Sequence, residues 1–230
     1  MPAPQESTTS FPARITSFLA FSAAANPALL IDGLGKRFEI TRTNIRKWPV
    51  GSPIQAALDA LQAIREQHPF RADQVRQVVV HLGTVEAGTV NNREMPNVSL
   101  QQMTALMLVQ GTVSFHASHD RALVSAPSLV REREKVRLVP DAALQELYPQ
   151  LVAVVEVMLR DGSHWTQRID HVRGTAQNPM STRDVADKAR DLMEPRLGAA
   201  RTAHLIETVL DLEALRDLRT LRPLLRPTPA

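Results

Sequence analysis

An Asp161-Gly162 pair stands between two runs of strand-forming residues, 151–160 and 163–170, and limits the possible folds more than any other feature of the sequence. Asp-Gly favours the backbone of a two-residue turn between antiparallel strands. The pair therefore predicts a β-hairpin, and a chain with this hairpin must contain an antiparallel sheet.

Folding the two runs about a two-residue turn also fixes which residues are opposite one another. Trp165 is expected opposite Met158, and Ile169 is expected opposite Val154. Opposite side chains on one face of an antiparallel pair contact each other. This register therefore predicts a continuous apolar stripe on that face of the hairpin.

Three other segments are predicted to be extended. Residues 75–82 (VRQVVVHL) are rich in valine, and residues 136–139 continue the β signal upstream of the hairpin. Residues 36–48 carry several β-branched and aromatic side chains, which also favour an extended backbone.

Apolar residues recur from Ile54 to Ile64 with helical spacing, which predicts a helix with one buried face. Ser52 and Gln55 have the spacing of a capping box, and Pro53 suits the first helical position. The helix is therefore predicted to begin at Ser52.

A second box, Ser99 with Gln102, opens a nearly all-apolar segment at 99–109, which predicts a buried helix. Ser181 is predicted to cap another helix. The other expected helices are one or two short ones within 119–134, one from 181 to 193 and one at about 199–210.

Strands joined mainly by helices and hairpins predict the α+β class, as a two-layer sandwich of a mainly antiparallel sheet covered by helices. Residues 1–17 are predicted to be a disordered or weakly helical leader. Residues 18–221 are predicted to form the domain, and residues 222–230 a flexible tail.

The composition of the 230 residues excludes several classes of protein. With 43% hydrophobic residues the chain can bury a core. The absence of cysteine excludes disulfides, thiolate metal sites and a cysteine nucleophile, and fits a reducing, cytoplasmic compartment. No apolar run reaches the roughly 18 residues of a membrane span, so no membrane partner is expected. A net charge of only +3, with two tryptophans and one tyrosine, argues against nucleic-acid binding.

No generic catalytic motif is present. His116, His119 and Asp120 could bind a metal, but their spacing matches neither H-E-x-x-H nor a zinc-finger pair. The alternative is that they are loop residues, with Asp120 beside the N-terminus of a helix. We expect no metal and no cofactor. The charges at 131–135 alternate in sign, which favours a solvated face over a phosphate patch.

Arg46 and Lys47 precede a turn that leads into a helix N-terminus. Two cations beside the positive end of a helix would suit a carboxylate ligand. The alternative is that both are solvent-facing charges at the end of an extended segment.

Several motifs occur together along the chain: GLGKRFEI at 33–40, RKWPVGSPIQAALDAL at 46–61, SLQQMTALMLVQGTVSF at 99–115 and HVRGTAQNPMS at 171–181. Asp184 and Lys188 follow the last of these. Together the motifs resemble the C-terminal domain of the MmgE/PrpD family over roughly residues 18–221. This family contains dehydratases, decarboxylases and epimerases of small carboxylic acids.

The resemblance implies a two-domain enzyme with a larger helical domain and a smaller α+β lid, and an active site between them. This chain is similar to the lid with a short leader. The implied function is that of a lyase or isomerase on a small polycarboxylate, with dehydration like that of a 2-methylcitrate dehydratase as the first expectation. Turnover is expected only with the helical domain present, as a domain or a separate subunit.

The family's site residues carry over only in part. Arg46 is at the position of a lysine, with Lys47 beside it. Gln55 is at the position of a histidine and Gln102 at that of a tyrosine, whereas Asp59 agrees with the family. A glutamine can orient a substrate but cannot transfer a proton. The resemblance therefore implies Arg46, Lys47, Gln55 and Gln102 as substrate-binding residues, and no catalytic residue is identified.

Two other functions are left open by the sequence. The chain could be a non-catalytic, truncated or split-gene product that binds a helical subunit or another copy of itself, because an unpacked inter-domain face would expose apolar surface. A homo-oligomer is expected for this reason. Nucleic-acid binding is the least favoured function, since the basic excess is small and scattered.

Overall fold

The computed structural model describes Asn26, Leu29 and residues 31–226. The predicted disordered leader lies outside the described residues. Contacts within the chain divide it into two units, Met1–Arg42 and Thr43–Ala230. In the first unit, the described residues form turns and a short 3-10 helix. All sheet and α-helical structure described below belongs to the second unit.

The second unit contains one four-stranded sheet with the strand order β2-β1-β3-β4. β1 pairs with β2 in parallel, while the β1–β3 and β3–β4 pairings are antiparallel. The prediction of a mainly antiparallel sheet is thus confirmed. The strands are β1 Val75–Gly83, β2 Val136–Asp141, β3 Ala153–Leu159 and β4 His164–Ile169.

Helices connect the strands and form the second layer. α1 contacts β3 and β4, and α3 contacts α1, α6 and β2. Residues 100–108 of α3 are all buried, which confirms the predicted buried helix. The described α-helices are α1 Gln55–Gln67, α2 Thr84–Val90, α3 Leu100–Gln110, α4 Phe115–His119, α5 Arg121–Val124, α6 Pro127–Glu134, α7 Ala142–Gln145, α8 Thr182–Leu197 and α9 Ala199–Leu210.

The core lies between the sheet and α1, α3 and α6. Leu58 and Leu61 of α1 meet Val78 of β1 and Val155 of β3 in one apolar cluster, and each is at most 1% exposed. None of the described helices is both long enough and apolar enough to cross a membrane.

The hairpin is present, but its turn is one residue longer than predicted. The backbone N–H of Leu159 donates to the carbonyl of Ser163 at 2.9 Å, so three residues, 160–162, form the turn. Gly162 has a φ of +93°, the left-handed conformation that closes such a three-residue loop.

The extra turn residue makes the predicted register of β3 and β4 wrong. Because side chains alternate along a strand, a shift of one residue brings the other face of β3 opposite each β4 residue. The core therefore receives Trp165 and Ile169 beside the buried side of β3. The observed pairs are Trp165 with Val157 and Ile169 with Ala153, instead of Met158 and Val154.

Both predicted capping boxes are wrong as hydrogen-bonded caps. A 3-10 helix, Ser52–Ile54, precedes α1, and neither N-cap makes a side-chain hydrogen bond. Ser99 is the N-cap residue of α3, but its buried hydroxyl has no hydrogen-bond partner among the described residues. At the first box, the reason is that the side chain of Gln55 binds a different part of the backbone, as described below.

The prediction of an extended segment at 36–48 is also wrong. Glu39–Arg42 forms a 3-10 helix, and residues 43–50 form no strand. β-branched residues favour a strand only where a neighbouring backbone can pair with it. Here Ile45 makes one such bond, from its N–H to the carbonyl of Gly174 at 2.8 Å.

The helical predictions for the remainder of the chain largely agree with the structure. α5 and α6 are the short helices expected within 119–134, and α9 has the predicted bounds. α8 begins at the predicted cap but extends to Leu197 instead of Met193. Within the charge run, Glu132 is buried and its carboxylate lies 2.6 Å from the ammonium of Lys135, so this pair is not part of a solvated face.

Candidate functional site

Residues 46–50, here called the RKWPV segment, lie beside the N-terminal end of α1 and are held there by Gln55. The Gln55 side chain accepts from the Trp48 N–H at 3.1 Å and donates to the carbonyls of Trp48 at 2.7 Å and Val50 at 3.2 Å. Backbone groups of an irregular segment need such partners when they are buried. Gln55 is 2% exposed, so its amide is used to shape the segment.

Asp59, one turn further along α1, joins the RKWPV segment to the loop at 171–178. Its Oδ1 accepts from the indole N–H of Trp48, and its Oδ2 accepts from the backbone N–H of Arg173, both at 2.8 Å. Burial raises the pKa of Asp59 above its ordinary value, and the two hydrogen bonds oppose that shift. A single carboxylate thus ties together two segments that are 114 and 11 residues away from it in sequence.

The 171–178 loop is built around Gly174. A Cβ atom at this position would lie 1.7 Å from the carbonyl oxygen of Ile45, and the φ of Gly174 is +95°. Only glycine permits both the backbone angle and this close approach. The loop orients the Arg173 guanidinium, which donates to Asn178 Oδ1 at 3.2 Å and to Asp184 Oδ2 at 2.7 Å.

Asp184 lies in the first turn of α8, where the sequence predicted a cap at Ser181. That cap is confirmed: the Ser181 hydroxyl accepts from the Asp184 N–H at 3.1 Å, and Asp184 Oδ2 accepts from the Ser181 N–H at 2.9 Å. The Arg173 guanidinium and these Ser181 bonds hold the pKa of Asp184 well below its usual range. The carboxylate therefore stays ionised, and its charge is balanced by the Arg173 guanidinium.

A pocket of about 310 Å³ opens between the RKWPV segment, residues 112–114 and α8. Its lining combines two lysines, three aspartates, two hydroxyls and an apolar remainder. The lining residues are Lys47, Trp48, Pro49, Thr112, Val113, Ser114, Met180, Asp184, Asp187, Lys188, Asp191 and Leu192.

Lys47 lines this pocket from the RKWPV segment. Its ammonium hydrogen-bonds the side-chain carbonyl of Gln62 and lies 4.5 Å from the centre of the Trp48 ring. Burial lowers the pKa of Lys47, and the nearby carboxylates of Asp59 and Glu66 oppose that shift only in part. Lys47 is thus a partly desolvated cation with a neutral hydrogen-bond partner.

Lys188 extends from α8 on the other side of the pocket. Its ammonium donates to the backbone carbonyl of Arg46, a contact that spans 142 residues. Burial lowers the pKa of Lys188, and the positive charge of Arg46 lowers it further. The Arg46 guanidinium is exposed and makes no hydrogen bond or ion pair within the described part of the chain. Three cations are therefore gathered at the pocket and its edge.

The aspartates of the pocket already have partners. Asp184 binds Arg173, as described above, and Asp187 pairs with Arg190 on the same helix. Asp191 Oδ2 accepts from the backbone N–H of Phe115 at 2.7 Å. Asp184 and Asp187 are thus paired with arginines, whereas Asp191 and the two lysines bind neutral groups. Among the described residues, two positive charges of the lining and one negative charge therefore have no ion-pair partner. This arrangement favours an anionic ligand.

The four substrate-binding residues predicted from sequence lie in different environments. Lys47 lines the pocket, Arg46 lies at its edge, and Gln55 supports the RKWPV segment from α1. Gln102 lies on α3, is 8% exposed and does not line the pocket, and its side-chain oxygen has no partner among the described residues.

Sequence reasoning did not assign Asp59, Arg173 or Lys188 to the site. Asp59 agreed with the family pattern, and Lys188 followed the 171–181 motif, so a signal was present for both. Arg173 lies within that motif, beside the glycine that lets its loop approach Ile45. What the sequence lacked was the long-range contact that joins them.

The histidines considered as metal ligands have ordinary local roles. Asp120 Oδ1 accepts from the Leu123 N–H at 3.0 Å and so caps α5. His116 Nε2 lies 3.9 Å from Asp120 Oδ2, and His119 Nδ1 lies 2.9 Å from the carbonyl oxygen of Phe115. Within residues 31–226 and the two isolated described positions, no three side chains are arranged to hold a metal ion.

Comparisons with known proteins agree with the resemblance noted in the sequence. The family model described as the MmgE/PrpD C-terminal domain matches residues 48–213. Cis-aconitate decarboxylase of Mus musculus is 26% identical over 180 residues, which cover 73% of this chain and 36% of that protein. Cis-aconitate decarboxylase of Homo sapiens is 24% identical over 226 residues, which cover 92% of this chain and 46% of that protein. The chain thus spans less than half the length of these curated relatives.

Proposed function

The chain belongs to the MmgE/PrpD family, whose C-terminal domain it matches, and from this premise we propose that it is the carboxylate-binding part of a lyase for a small polycarboxylate. The observation that carries the proposal is the gathering of Lys47, Lys188 and Arg46 around one pocket. Partly desolvated cations bind carboxylates more strongly than exposed ones, because less water competes for the charge. The pocket volume of about 310 Å³ suits a small acid.

Dehydration of a hydroxy-polycarboxylate such as 2-methylcitrate is the reaction that we propose first. It requires removal of a proton next to a carboxylate and departure of a hydroxyl group, and both steps develop negative charge near the carboxylates. Cations such as Arg46 and Lys188 stabilise that charge. The same demand exists in decarboxylation of cis-aconitate, the reaction in the names of both curated relatives, and this is the second candidate reaction.

Turnover requires, in this proposal, a helical domain in addition to the segment described here, either on the same polypeptide or as a separate subunit. The chain covers 36% and 46% of the two relatives. Gln55 and Gln102, at positions where the resemblance expects groups that can transfer protons, cannot do so. Without the helical domain the chain is expected to bind the acid weakly and to convert it at a negligible rate.

A non-catalytic interaction module is the alternative function. Phe115 and Leu192 support it, because they are 43% and 39% exposed, and Leu192 lies in the pocket lining. Apolar side chains at the edge of a polar pocket suit the docking of another protein surface. A second copy of the chain or a helical subunit would fit there. A module of this kind would associate, but would not distinguish citrate from an unrelated anion.

Calorimetric titration with citrate tests the carboxylate site directly. Replacement of Arg46, Lys47 or Lys188 by glutamine is expected to weaken citrate binding roughly 10-fold to 100-fold, since each removes a charge-assisted interaction. Arg219→Gln is the matched control, because the Arg219 guanidinium pairs with Asp217, outside the pocket. Absence of citrate binding, or equal affinities across the four variants, would contradict the proposal.

The reaction is tested with the helical domain added. Loss of water from 2-methylcitrate is followed by the appearance of the unsaturated product, and decarboxylation of cis-aconitate by release of carbon dioxide. Water loss with little carbon dioxide supports the first reaction, and the reverse supports the second. Citrate binding without either reaction would contradict the proposed lyase activity but not the carboxylate site.

A further inference from the structure

Lys47 differs from Arg46 and Lys188 in the groups that surround its charge. Its ammonium lies over the indole ring of Trp48 and binds the side-chain amide of Gln62. The Gln62 amide is uncharged, so it can accept a hydrogen bond from Lys47 without forming an ion pair with it. Lys188, by contrast, binds a backbone carbonyl that ties α8 to the RKWPV segment. Arg46 is exposed.

The acids around Lys47 are each bound to another group, so none forms an ion pair with it within the described residues. Asp59 binds Trp48 and Arg173, and Glu66 binds the amide N–H of Gln62 at 2.7 Å. The charged groups that act on Lys47 are Asp59 and Glu66 of α1, Asp184 of α8 and Arg173 of the 171–178 loop.

We propose that Lys47 is a catalytic residue that exchanges a proton with the substrate. The proposal rests on the proposed function, since it assigns a role within the same pocket. A lysine that is partly removed from water, with a neutral partner and no ion pair, is suited to this role because its amine form becomes accessible at a lower pH than that of an exposed lysine. The amine form has a free electron pair, and Lys47 lines the pocket in which we propose that carboxylates bind. The observed burial lowers the pKa of Lys47 in the required direction.

The proton transfers balance within the dehydration itself. The neutral Lys47 amine removes a proton from the carbon next to a carboxylate, and the C–H electron pair forms the new double bond. The C–O bond breaks, and the resulting ammonium gives its proton to the departing hydroxyl, which leaves as water. The amine is regenerated, and no oxidant, reductant or other co-reactant is needed. Arg46 and Lys188 keep the carboxylates in place throughout.

The ionisation of Lys47 can be measured on the chain alone through the fluorescence of Trp48. The chain has two tryptophans and one tyrosine, so Trp165→Phe with Tyr148→Phe leaves Trp48 as the only reporter. Loss of the ammonium charge above the indole is expected to change its emission, with a midpoint below the ordinary lysine pKa of 10.5. Added citrate should raise that midpoint, because a polycarboxylate favours the ammonium.

Two variants of this reporter assign the transition. Lys47→Met should abolish it, and Lys188→Met should retain it, with circular dichroism confirming that both remain folded. A midpoint at or above 10.5, or a transition that survives Lys47→Met, would overturn the proposal.

Activity with the helical domain present separates this inference from the proposed function. Lys47→Arg keeps a cation, so citrate affinity should change by less than about 3-fold, while turnover should fall by about 100-fold or more. The wild-type kcat should rise with pH through the ionisation of Lys47. Failure of citrate to bind would contradict the proposed function, whereas retained binding together with full turnover by Lys47→Arg would contradict only the catalytic role.

Discussion

Two carboxylates in this protein each hold two separate segments together, yet their pKa values move in opposite directions. Asp59, beside the pocket, accepts from Trp48 and from the backbone of Arg173. Its pKa is raised, because burial outweighs the two hydrogen bonds. Glu156 also has two donors, but its pKa is lowered.

Glu156 lies on the partly exposed face of the sheet, away from the core. His81 Nε2 lies 2.9 Å from one carboxylate oxygen and His164 Nε2 lies 3.1 Å from the other. The His81 bond is the largest cause of the lowered pKa; burial opposes it, and the His164 bond adds to it. The contrast with Asp59 shows that the loss of water, and not the number of donors, decides the direction of the shift.

Charged side chains therefore have different roles on the sheet and at the pocket. On the sheet, three strands are joined by a carboxylate and two imidazoles that keep contact with solvent. At the pocket, Asp59 and Lys47 are both held where their charged forms are disfavoured. Proteins retain disfavoured charges mainly where binding or catalysis needs them. This difference supports placing the chemistry at the pocket and only a structural tie on the sheet.

The largest predicted effect is from Gly174→Ala, which disrupts the 171–178 loop that Asp59 binds. Its Cβ would lie 1.7 Å from the Ile45 oxygen, so the backbone must move. We expect a loss of about 3 kcal/mol or more in the free energy of unfolding, measured with urea. Gly162→Ala is the control, since Gly162 also has positive φ but has open space around its Cα. It should cost only about 1 kcal/mol. Equal losses would show that steric contact at Gly174 is unimportant.

The second prediction compares the carboxylates directly. Asp59→Asn puts an amide N–H₂ against one of two donors in a buried site, so it should cost about 1 to 3 kcal/mol of unfolding free energy. Glu156→Gln makes the same change where water can replace the lost bond, and it should cost less than about 1 kcal/mol. Urea unfolding at neutral pH measures both variants. A Glu156→Gln cost as large as that of Asp59→Asn would remove the distinction between the regions.

Much of this fold was predictable because it depends on local signals. The four strands, the buried helix α3 and the cap at Ser181 follow from composition, periodicity and capping residues. The register of the hairpin did not follow, because Asp161-Gly162 suits a two-residue turn as well as the longer turn with Gly162 in the left-handed conformation. Only the packing of Trp165 and Ile169 against the core decides between the two.

The site was predictable to a smaller extent, for a related reason. Lys47 could be identified because it lies in a continuous motif. Its surroundings depend on contacts between distant segments: Asp59 with Arg173 across 114 residues, and Lys188 with Arg46 across 142 residues. No local pattern contains such distances. Gln55 is a further example: its position in the motif was clear from the sequence, but its contacts with the Trp48 backbone were not.

A smaller effect, the pH dependence of stability, should have opposite signs in the two regions. For Glu156 the folded pKa is depressed, so its stabilising contribution is present above the ordinary value of 4.5 and is lost as pH falls through the folded value. For Asp59 the folded pKa is raised, so wild type loses stability relative to Asp59→Asn as pH rises from 3.8 through the folded value. Unfolding free energies of wild type and both variants, measured from about pH 3 to about pH 7, give the two slopes. Slopes of the same sign would contradict the contrast.

The smallest predicted effect on the unfolding free energy is from Lys47→Met, and the sign of this change is informative. Lys47 sits where burial disfavours its ammonium, so replacing it by an apolar side chain of similar length should leave the unfolding free energy unchanged or raise it by about 0.5 kcal/mol. Lys135→Met is the contrasting variant, because Lys135 binds the buried Glu132 carboxylate and its removal should be clearly destabilising. Thermal and urea unfolding of the two variants give the comparison. A destabilised Lys47→Met would mean that the lysine supports the fold, whereas a neutral or stabilised variant with weakened citrate binding means that the chain keeps Lys47 for its ligand.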